Sequence, residues 1–346
     1  MKITQLTRTD KHLLVIDKRI HYDGFFGEEL EPKLISWLQA GKNVLIIGSK
    51  AHFASGMICK DCGHIPRCTQ CDIPIARHKD RHQELFGLCH LCKTYYPNSG
   101  ICPVCQGHAL DVYGIGLQQL QEYLRTKTGI SGLLIDRTQA NSLPKLNKLT
   151  TLLDTHQLVL STGLLTQPAR NKKFDLVIVM QADLGLQVPD VQANRQNFCF
   201  LSEILDKYAT KNYRLYTYNP EQPSILAAIN NDRAGIFAWE HGQRKQHNYP
   251  PYSEMCVLLY KHEIESRLYT TVHKLYQELL FLKSSYEFAH LEIFATPPLV
   301  YKAFGKFRYN IVLKAPELRP FLEIAYSKLK ITSRWFKVDW EPQNSI

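Results

Sequence analysis

Apolar and polar positions recur along the chain on two periods, and the switches between them mark out its elements. Glu31 to Gln39 puts Leu34, Ile35 and Leu38 on one side of a helix, which Gly41 ends. Asn43 to Ile47 is a continuous apolar run, as expected of a strand buried on both faces. Asp175 to Met180 is a second such strand, ending near Asp183. Between them the pattern predicts a helix from Leu117 to Lys127, a short strand from Gly132 to Asp136, a helix across Leu143 to Leu153, and a strand from Gln157 to Ser161. A helix over Arg195 to Lys207 and a strand over Tyr213 to Tyr218 follow. Strands alternating with helices predict a mostly parallel sheet with helices on both faces.

The pattern changes near Asn230. Met255 to Lys261 reads as a strand, and Ile264 to Ser284 as a long helix with Leu268, Val272, Leu275, Leu279 and Leu282 on one stripe. Two strands follow, Leu291 to Ala295 and Arg308 to Lys314. A helix from Glu317 to Lys330 then turns Phe321, Ala325 and Leu329 inward, and an alternating strand, Trp335 to Trp340, closes the segment. The order β-α-β-β-α-β predicts a small ferredoxin-like α+β domain. The Pro-rich stretch His247 to Tyr252 is its stiff boundary.

One window breaks this rhythm. Eight of the ten cysteines form four CxxC pairs: Cys59/Cys62, Cys68/Cys71, Cys89/Cys92 and Cys102/Cys105. A CxxC pair holds two thiolates at the separation one tetrahedral metal requires, so four pairs predict two closed four-thiolate zinc sites inserted in a connection of the sheet. Such a shell leaves no open position for water, and the zinc is expected to be structural. Disulfides are disfavoured because the N-terminus lacks an apolar signal core and its cleavage site, which predicts a cytosolic chain with reduced thiols. His64, His78, His82, His90 and His108 crowd the window and are expected to be solvated, not ligands. Cys199 and Cys256 stand alone in apolar surroundings and read as ordinary buried residues.

Charge and missing motifs narrow the chemistry. The formal charge is +10. Eight thiolates and two divalent ions together remove four positive charges, which leaves about +6 and favours a polyanionic partner. No apolar run approaches the length of a membrane span. Gly114-Ile115-Gly116 opens like a dinucleotide fingerprint, but Gln119 takes the place of the third glycine. The strand ending at Asp183 resembles a Walker B strand, yet GxxxxGK[ST] occurs nowhere in these residues to cradle phosphates beside it. No residue is marked as catalytic.

The ordered set Cys59-x2-Cys62-Gly63, Cys68-x2-Cys71-Asp72, His78, Cys89-His90-x-Cys92, Pro97 and Cys102-Pro103-x-Cys105 resembles the zinc region of the primosomal helicase PriA (primosomal protein N′) family. Gly114-x-Gly116-x-Gln118-x3-Glu122-x-Leu124, Ile135-Asp136-Arg137, and the Asp183, Pro189-Asp190, Ala193, Phe198 series are also similar to that family. So are Tyr249-Pro250-Pro251-Tyr252, Gly305-Lys306-Phe307-Arg308-Tyr309 and Asp339-x2-Pro342. The resemblance covers essentially the whole chain but only the C-terminal half of the family, with Met1 standing where the second helicase lobe starts. It implies a degenerate, discontinuous RecA-like second lobe (1–57 and 107–228), a zinc-binding insertion (58–106) and a C-terminal α+β domain (229–346). It also implies a nested pairing. Cys59, Cys62, Cys102 and Cys105 would hold one zinc, and Cys68, Cys71, Cys89 and Cys92 the other.

Two helicase motifs depart from the family pattern. A Gly-Thr-Gln-Met motif is replaced by Ser161-Thr162-Gly163-Leu164, and a Gly-Arg-Ala-Gly-Arg motif by Asp206-Lys207-Tyr208-Ala209-Thr210. An arginine finger needs a fixed, delocalised cation at the γ-phosphate, which neither Lys207 nor Thr210 supplies. The resemblance therefore implies a DNA-binding protein of replication restart without ATPase activity of its own, and without ATP as a cofactor. Its partners would be branched or single-stranded DNA, and primosome or single-strand-binding proteins. A monomer at the nucleoid is expected, with no membrane contact. The alternatives are the second-lobe subunit of a split 3′-5′ helicase and a zinc-module protein adaptor. Tyr301, Lys302, Lys306 and Arg308 are the candidate DNA contacts, with cations for phosphates and rings for bases. A strand with one core face would place the same rings inside.

Overall fold

The computed structural model describes residues 2–8, 11–19, 24–48, 56–79, 84–97, 100–108, 110–113, 116–135, 144–145, 148, 151–162, 172–187, 190–208, 211–329 and 336–340. The chain opens with β1 (Lys2–Arg8) and β2 (Lys11–Asp17), then α1 (Glu31–Gln39) and β3 (Val44–Ile47). Five short strands follow in the cysteine window: β4 (Gly56–Cys59), β5 (Ala76–Lys79), β6 (Leu85–Leu88), β7 (Tyr95–Pro97) and β8 (Leu110–Tyr113). The next elements are α2 (Leu117–Thr128), β9 (Leu133–Ile135), β10 (Leu158–Ser161) and β11 (Leu176–Val179). They lead to α3 (Ala193–Lys207), β12 (Asn212–Thr217), α4 (Pro223–Asn230) and α5 (Arg233–Gln246). The C-terminal part holds β13 (Glu254–His262), α6 (Glu265–Ser285), β14 (Glu292–Thr296), β15 (Lys302–Ala303), β16 (Lys306–Ala315), α7 (Arg319–Leu329) and β17 (Phe336–Trp340).

Seven strands form one sheet in the order β1-β2-β12-β11-β3-β10-β9. Strands β2, β12, β11, β3, β10 and β9 run parallel to their neighbours, and only β1 is antiparallel. The apolar runs explain why the middle strands are central. Each residue of β3, β10 and β11 is buried, because alternate side chains enter two different cores. Leu45 and Ile47 join one core with Val177, Val179, Phe198, Leu201, Ile225 and Ile236. Val44 and Ile46 join the other with Leu34, Leu38, Leu117, Leu120 and Leu124. Helices α1 and α2 therefore cover one face, and α3, α4 and α5 the other.

Three features depart from the expected pattern or lie beyond it. The β1–β2 hairpin extends the sheet, with β2 pairing along β12 from His12↔Asn212 to Asp17↔Thr217; its short, mixed alternation gives little signal of burial. Helices α4 and α5 carry the helical layer past residue 229, since Ile229 and Ile236 enter the first core. Cys199 is exposed, not buried. It lies between Phe198 and Leu201, whose helical positions take the inward face of α3 and leave Cys199 outside. The expected helix over Leu143 to Leu153 falls largely outside the described residues, and Leu152–Thr155 is a 3₁₀ turn.

The C-terminal sheet has the order β14-β16-β13-β17 with antiparallel pairs throughout. Together with α6 and α7 on one face, this is the ferredoxin-like arrangement that the element order predicts. The buried stripe of α6 is Leu268, Val272, Leu275, Leu279 and Leu282, packed with Phe321 and Ala325 of α7. No helix among the described residues is long and apolar enough to cross a membrane.

Leu45 is fully buried on β3, at the centre of the parallel sheet. Leu45→Ala should lower unfolding free energy by about 2–5 kcal/mol, and Leu226→Ala on the exposed side of α4 by about 0.5 kcal/mol or less. Denaturant midpoints of the two variants measure the difference.

Candidate metal centres

The cysteine module is held between two ends of the parallel domain. Strand β4 pairs antiparallel with β8, from Gly56↔Tyr113 to Cys59↔Leu110, so the module leaves and rejoins the sheet domain through one two-stranded stem. Within it, each CxxC pair folds into the same turn. The carbonyl of the first cysteine accepts from the amide four residues on, at Gly63, Asp72, Lys93 and Gln106, over 2.8–3.0 Å. Its own amide donates to the carbonyl five residues on, at His64, Ile73, Thr94 and Gly107. The residue after the second cysteine has positive φ in all four turns: 74° at Gly63, 52° at Asp72, 64° at Lys93 and 59° at Gln106. A left-handed conformation costs a non-glycine residue about 1–2 kcal/mol, so three of the four turns hold a strained residue in place.

These turns bring eight sulfurs into two groups. Cys59, Cys62, Cys102 and Cys105 form one, and Cys68, Cys71, Cys89 and Cys92 the other, with the sulfurs of each group within 4.8 Å of one another. All ten cysteines of the chain are free. The separations are 3.6 Å for Cys59–Cys105, 3.7 Å for Cys62–Cys102 and 3.6 Å for Cys68–Cys92. A disulfide requires about 2.05 Å. A tetrahedral metal with sulfur bonds of about 2.3 Å requires edges of about 3.8 Å. Each group can therefore hold a metal ion.

The two centres differ in their surroundings. In the first, Cys62 and Cys105 are exposed. The second has a small core of its own, formed by Ile73, Ile75 and Leu91 with Tyr96 of β7. Polar groups also point at its sulfurs. The Tyr96 hydroxyl donates to Cys68 Sγ at 3.1 Å and accepts from the Thr69 amide at 3.0 Å. The Thr94 hydroxyl lies 3.0 Å from Cys92 Sγ and is the main cause of a Cys92 pKa lowered to about 6. Burial pushes the Cys89 thiol up to about 12. In the first centre, the Cys105 amide leads the lowering of Cys102 to about 7. The CxxC spacing carries no sign of Tyr96 or Thr94, because their roles depend on how β7 returns to the knuckles. His78 is not solvated as expected. It is buried, stacks on Phe86 with ring centres 5.4 Å apart, and places Nε2 3.0 Å from Nε2 of His90; pairing of β5 with β6 carries it inward. His90 and His108 are exposed, and His82 lies outside the described residues.

No family model matches the chain. Curated relatives do. The replication restart protein PriA of Bacillus subtilis is 26% identical over 259 residues, covering 72% of this chain and 32% of the relative. That of Borreliella burgdorferi is 23% identical over 323 residues, covering 89% and 47%. The PriA protein of Thermotoga maritima is 24% identical over 317 residues, covering 89% and 41%. The chain is similar to these replication restart PriA proteins over most of its own length, consistent with a PriA-family C-terminal region. It spans about a third to a half of the length of these relatives.

The positions that carry the PriA resemblance, and the two segments that depart from it, fall partly among the described residues. Ser161 Oγ donates to the carbonyls of Ile135 and Thr162 at the end of β10, while Gly163 and Leu164 lie outside the described residues. Lys207 Nζ sits 3.2 Å from Glu203, one turn back on α3, and Ala209 and Thr210 are also outside. Asp183 accepts from the Tyr218 amide at 2.8 Å. Gly116, from the glycine pair, is the N-cap of α2; Gly114 and Ile115 are outside. Asp136, Arg137, Pro189 and Pro342 are outside as well. The PriA-like C-terminal run forms a hairpin of β15 and β16. In it the Tyr301 hydroxyl donates to Glu265 at 2.7 Å, and Arg308 Nε donates to the Val300 carbonyl at 2.8 Å. Lys306 is exposed, 3.7 Å from Glu263, and Lys302 Nζ reaches the Thr69 carbonyl at 3.0 Å.

Elemental analysis of the full chain should find two metal ions per molecule. Cys89→Ser, which removes a fully buried sulfur of the second centre, should leave about one, with the first centre still loaded. Retention of both ions by that variant would refute the grouping.

Proposed function

We propose that this chain is a PriA-like DNA-binding protein of replication restart and primosome assembly that does not itself hydrolyse ATP. The reading rests above all on a complete double four-cysteine module in a chain similar to replication restart PriA proteins along most of its length. Zinc is the metal this donor set suits, because four thiolates make a closed, soft, tetrahedral site. Without an open ligand position, its contribution is to fold the module.

In this reading the degenerate second lobe (1–57 and 107–228) is the scaffold. The insertion (58–106) and the C-terminal domain (229–346) make the contacts, at the nucleoid in the cytoplasm. The partner is branched or single-stranded DNA, together with primosome or single-strand-binding proteins. A net charge of about +6 after metal loading supports a phosphate partner. Among Tyr301, Lys302, Lys306 and Arg308, Lys306 is the side chain best placed for phosphate, with half its surface exposed. Two observations support inactivity toward ATP. The segment 206–210 offers no arginine, and Lys207 is engaged with Glu203 on its own helix.

Forked DNA bound to the full chain should dissociate as salt rises, with a log-log slope near −0.9 for each phosphate neutralised. Lys306→Ala should reduce that slope by about one unit. With the same DNA and Mg-ATP, the rate of phosphate release should stay at the level of the protein-free blank. Absence of binding at low salt removes DNA from this reading, and DNA-stimulated hydrolysis removes the inactive lobe.

A further inference from the structure

The β15–β16 hairpin reaches across the molecule to the second metal centre. Its register, Lys302↔Phe307 and Ala303↔Lys306, leaves Phe304 and Gly305 as a two-residue turn. Both have positive φ, 51° and 78°, as the tight hairpin turn matching strand twist requires. Two bonds join this hairpin to one CxxC knuckle. Lys302 Nζ donates to the Thr69 carbonyl at 3.0 Å, and the Gly305 amide to the Gln70 carbonyl at 3.0 Å. The knuckle and the hairpin are 233 residues apart along the chain.

The chemistry of a four-thiolate site gives these bonds a purpose. A divalent ion with four thiolates carries a net charge of −2, and the second centre is the more buried of the two. Amide donors to sulfur and nearby cations spread that charge, as supporting residues do around other metal ligands. The hairpin holds the Thr69–Gln70 loop between Cys68 and Cys71 through both bonds, and Lys302 brings a positive charge to it. Both bonds fall on the knuckle of the second centre.

We propose that the Lys302–Arg308 hairpin clamps the second metal centre, so that metal binding at Cys68, Cys71, Cys89 and Cys92 and docking of the C-terminal domain on the cysteine module strengthen each other. The link is reciprocal, because a contact that tightens metal binding is itself tightened by the metal. Gly305 and Lys302 act through the Thr69–Gln70 loop between Cys68 and Cys71, as positioning residues. The proposal rests on the metal reading of the cysteine groups and is independent of DNA binding.

The test uses the zinc-loaded full chain in excess chelator, with the freed thiols alkylated and identified by peptide mass spectrometry. Lys302→Ala removes one clamp bond with little risk to folding. Gly305→Val strains the turn and crowds Gln70, whose Oε1 lies 3.1 Å from where a Cβ would stand. Both should speed release from the second centre about tenfold or more, with the first centre unchanged. Phe304→Asn keeps both clamp bonds and suits the turn, so it should release at the rate of the unsubstituted chain. Equal acceleration at both centres, or none at the second, overturns the clamp. Fewer than two zinc ions bound to the unsubstituted chain overturns the metal reading beneath it.

Discussion

Four cysteine sulfurs held within 4.8 Å of one another repel strongly once ionised, and only a cation or retained protons offset that repulsion. The cysteine module is built around this constraint twice. Its strands are three or four residues long, too short to hold together through their own hydrogen bonds. Its apolar cluster around the second centre is small and includes cysteines themselves. What organises it is the repeated knuckle turn, in which a left-handed residue and two backbone bonds set each pair of sulfurs. Metal–thiolate bonding would offset the conformational cost of Asp72, Lys93 and Gln106 and would link the fold of the module to its metal.

The larger domain supplies the fixed frame. The continuous burial of β3 anchors one end of the module, and α2, packed through Leu117, Leu120 and Leu124, anchors the other. The β4–β8 stem then sets where the knuckles stand relative to the sheet. The third anchor is remote in sequence: the β15–β16 hairpin comes from a domain with a separate core and rests on the second centre. The same basic, aromatic hairpin thus touches the Cys68–Cys71 knuckle of the second cysteine group and offers Lys306 to solvent.

Periodicity exposed the elements that bury a strong apolar pattern. The runs 43–47 and 175–180 and the stripe from Leu268 to Leu282 appear in the structure within a residue or two of their expected ends, because burial on two faces or along one stripe leaves an unmistakable pattern. The β1–β2 hairpin had no such mark, as an edge element mixes polar and apolar residues. Cys199 shows the limit of local composition: apolar neighbours on a helix do not bury a residue that faces away from them. At the candidate metal centres, CxxC spacing picked out the eight cysteines that group, and family likeness suggested the nesting that places Cys59 near Cys105 and Cys68 near Cys92. Tyr96, Thr94 and the Phe304 turn were silent in the sequence, since their roles arise only after strands and domains have packed.

The central claim is that this chain folds its cysteine module around two all-thiolate metal ions. X-ray absorption at the zinc edge on the metal-loaded full chain tests it most directly. The account predicts a single shell of four sulfurs at about 2.3 Å for both ions. A shell containing nitrogen or oxygen, at about 2.0–2.1 Å, would mean that histidine or water replaces a thiolate, and would contradict it.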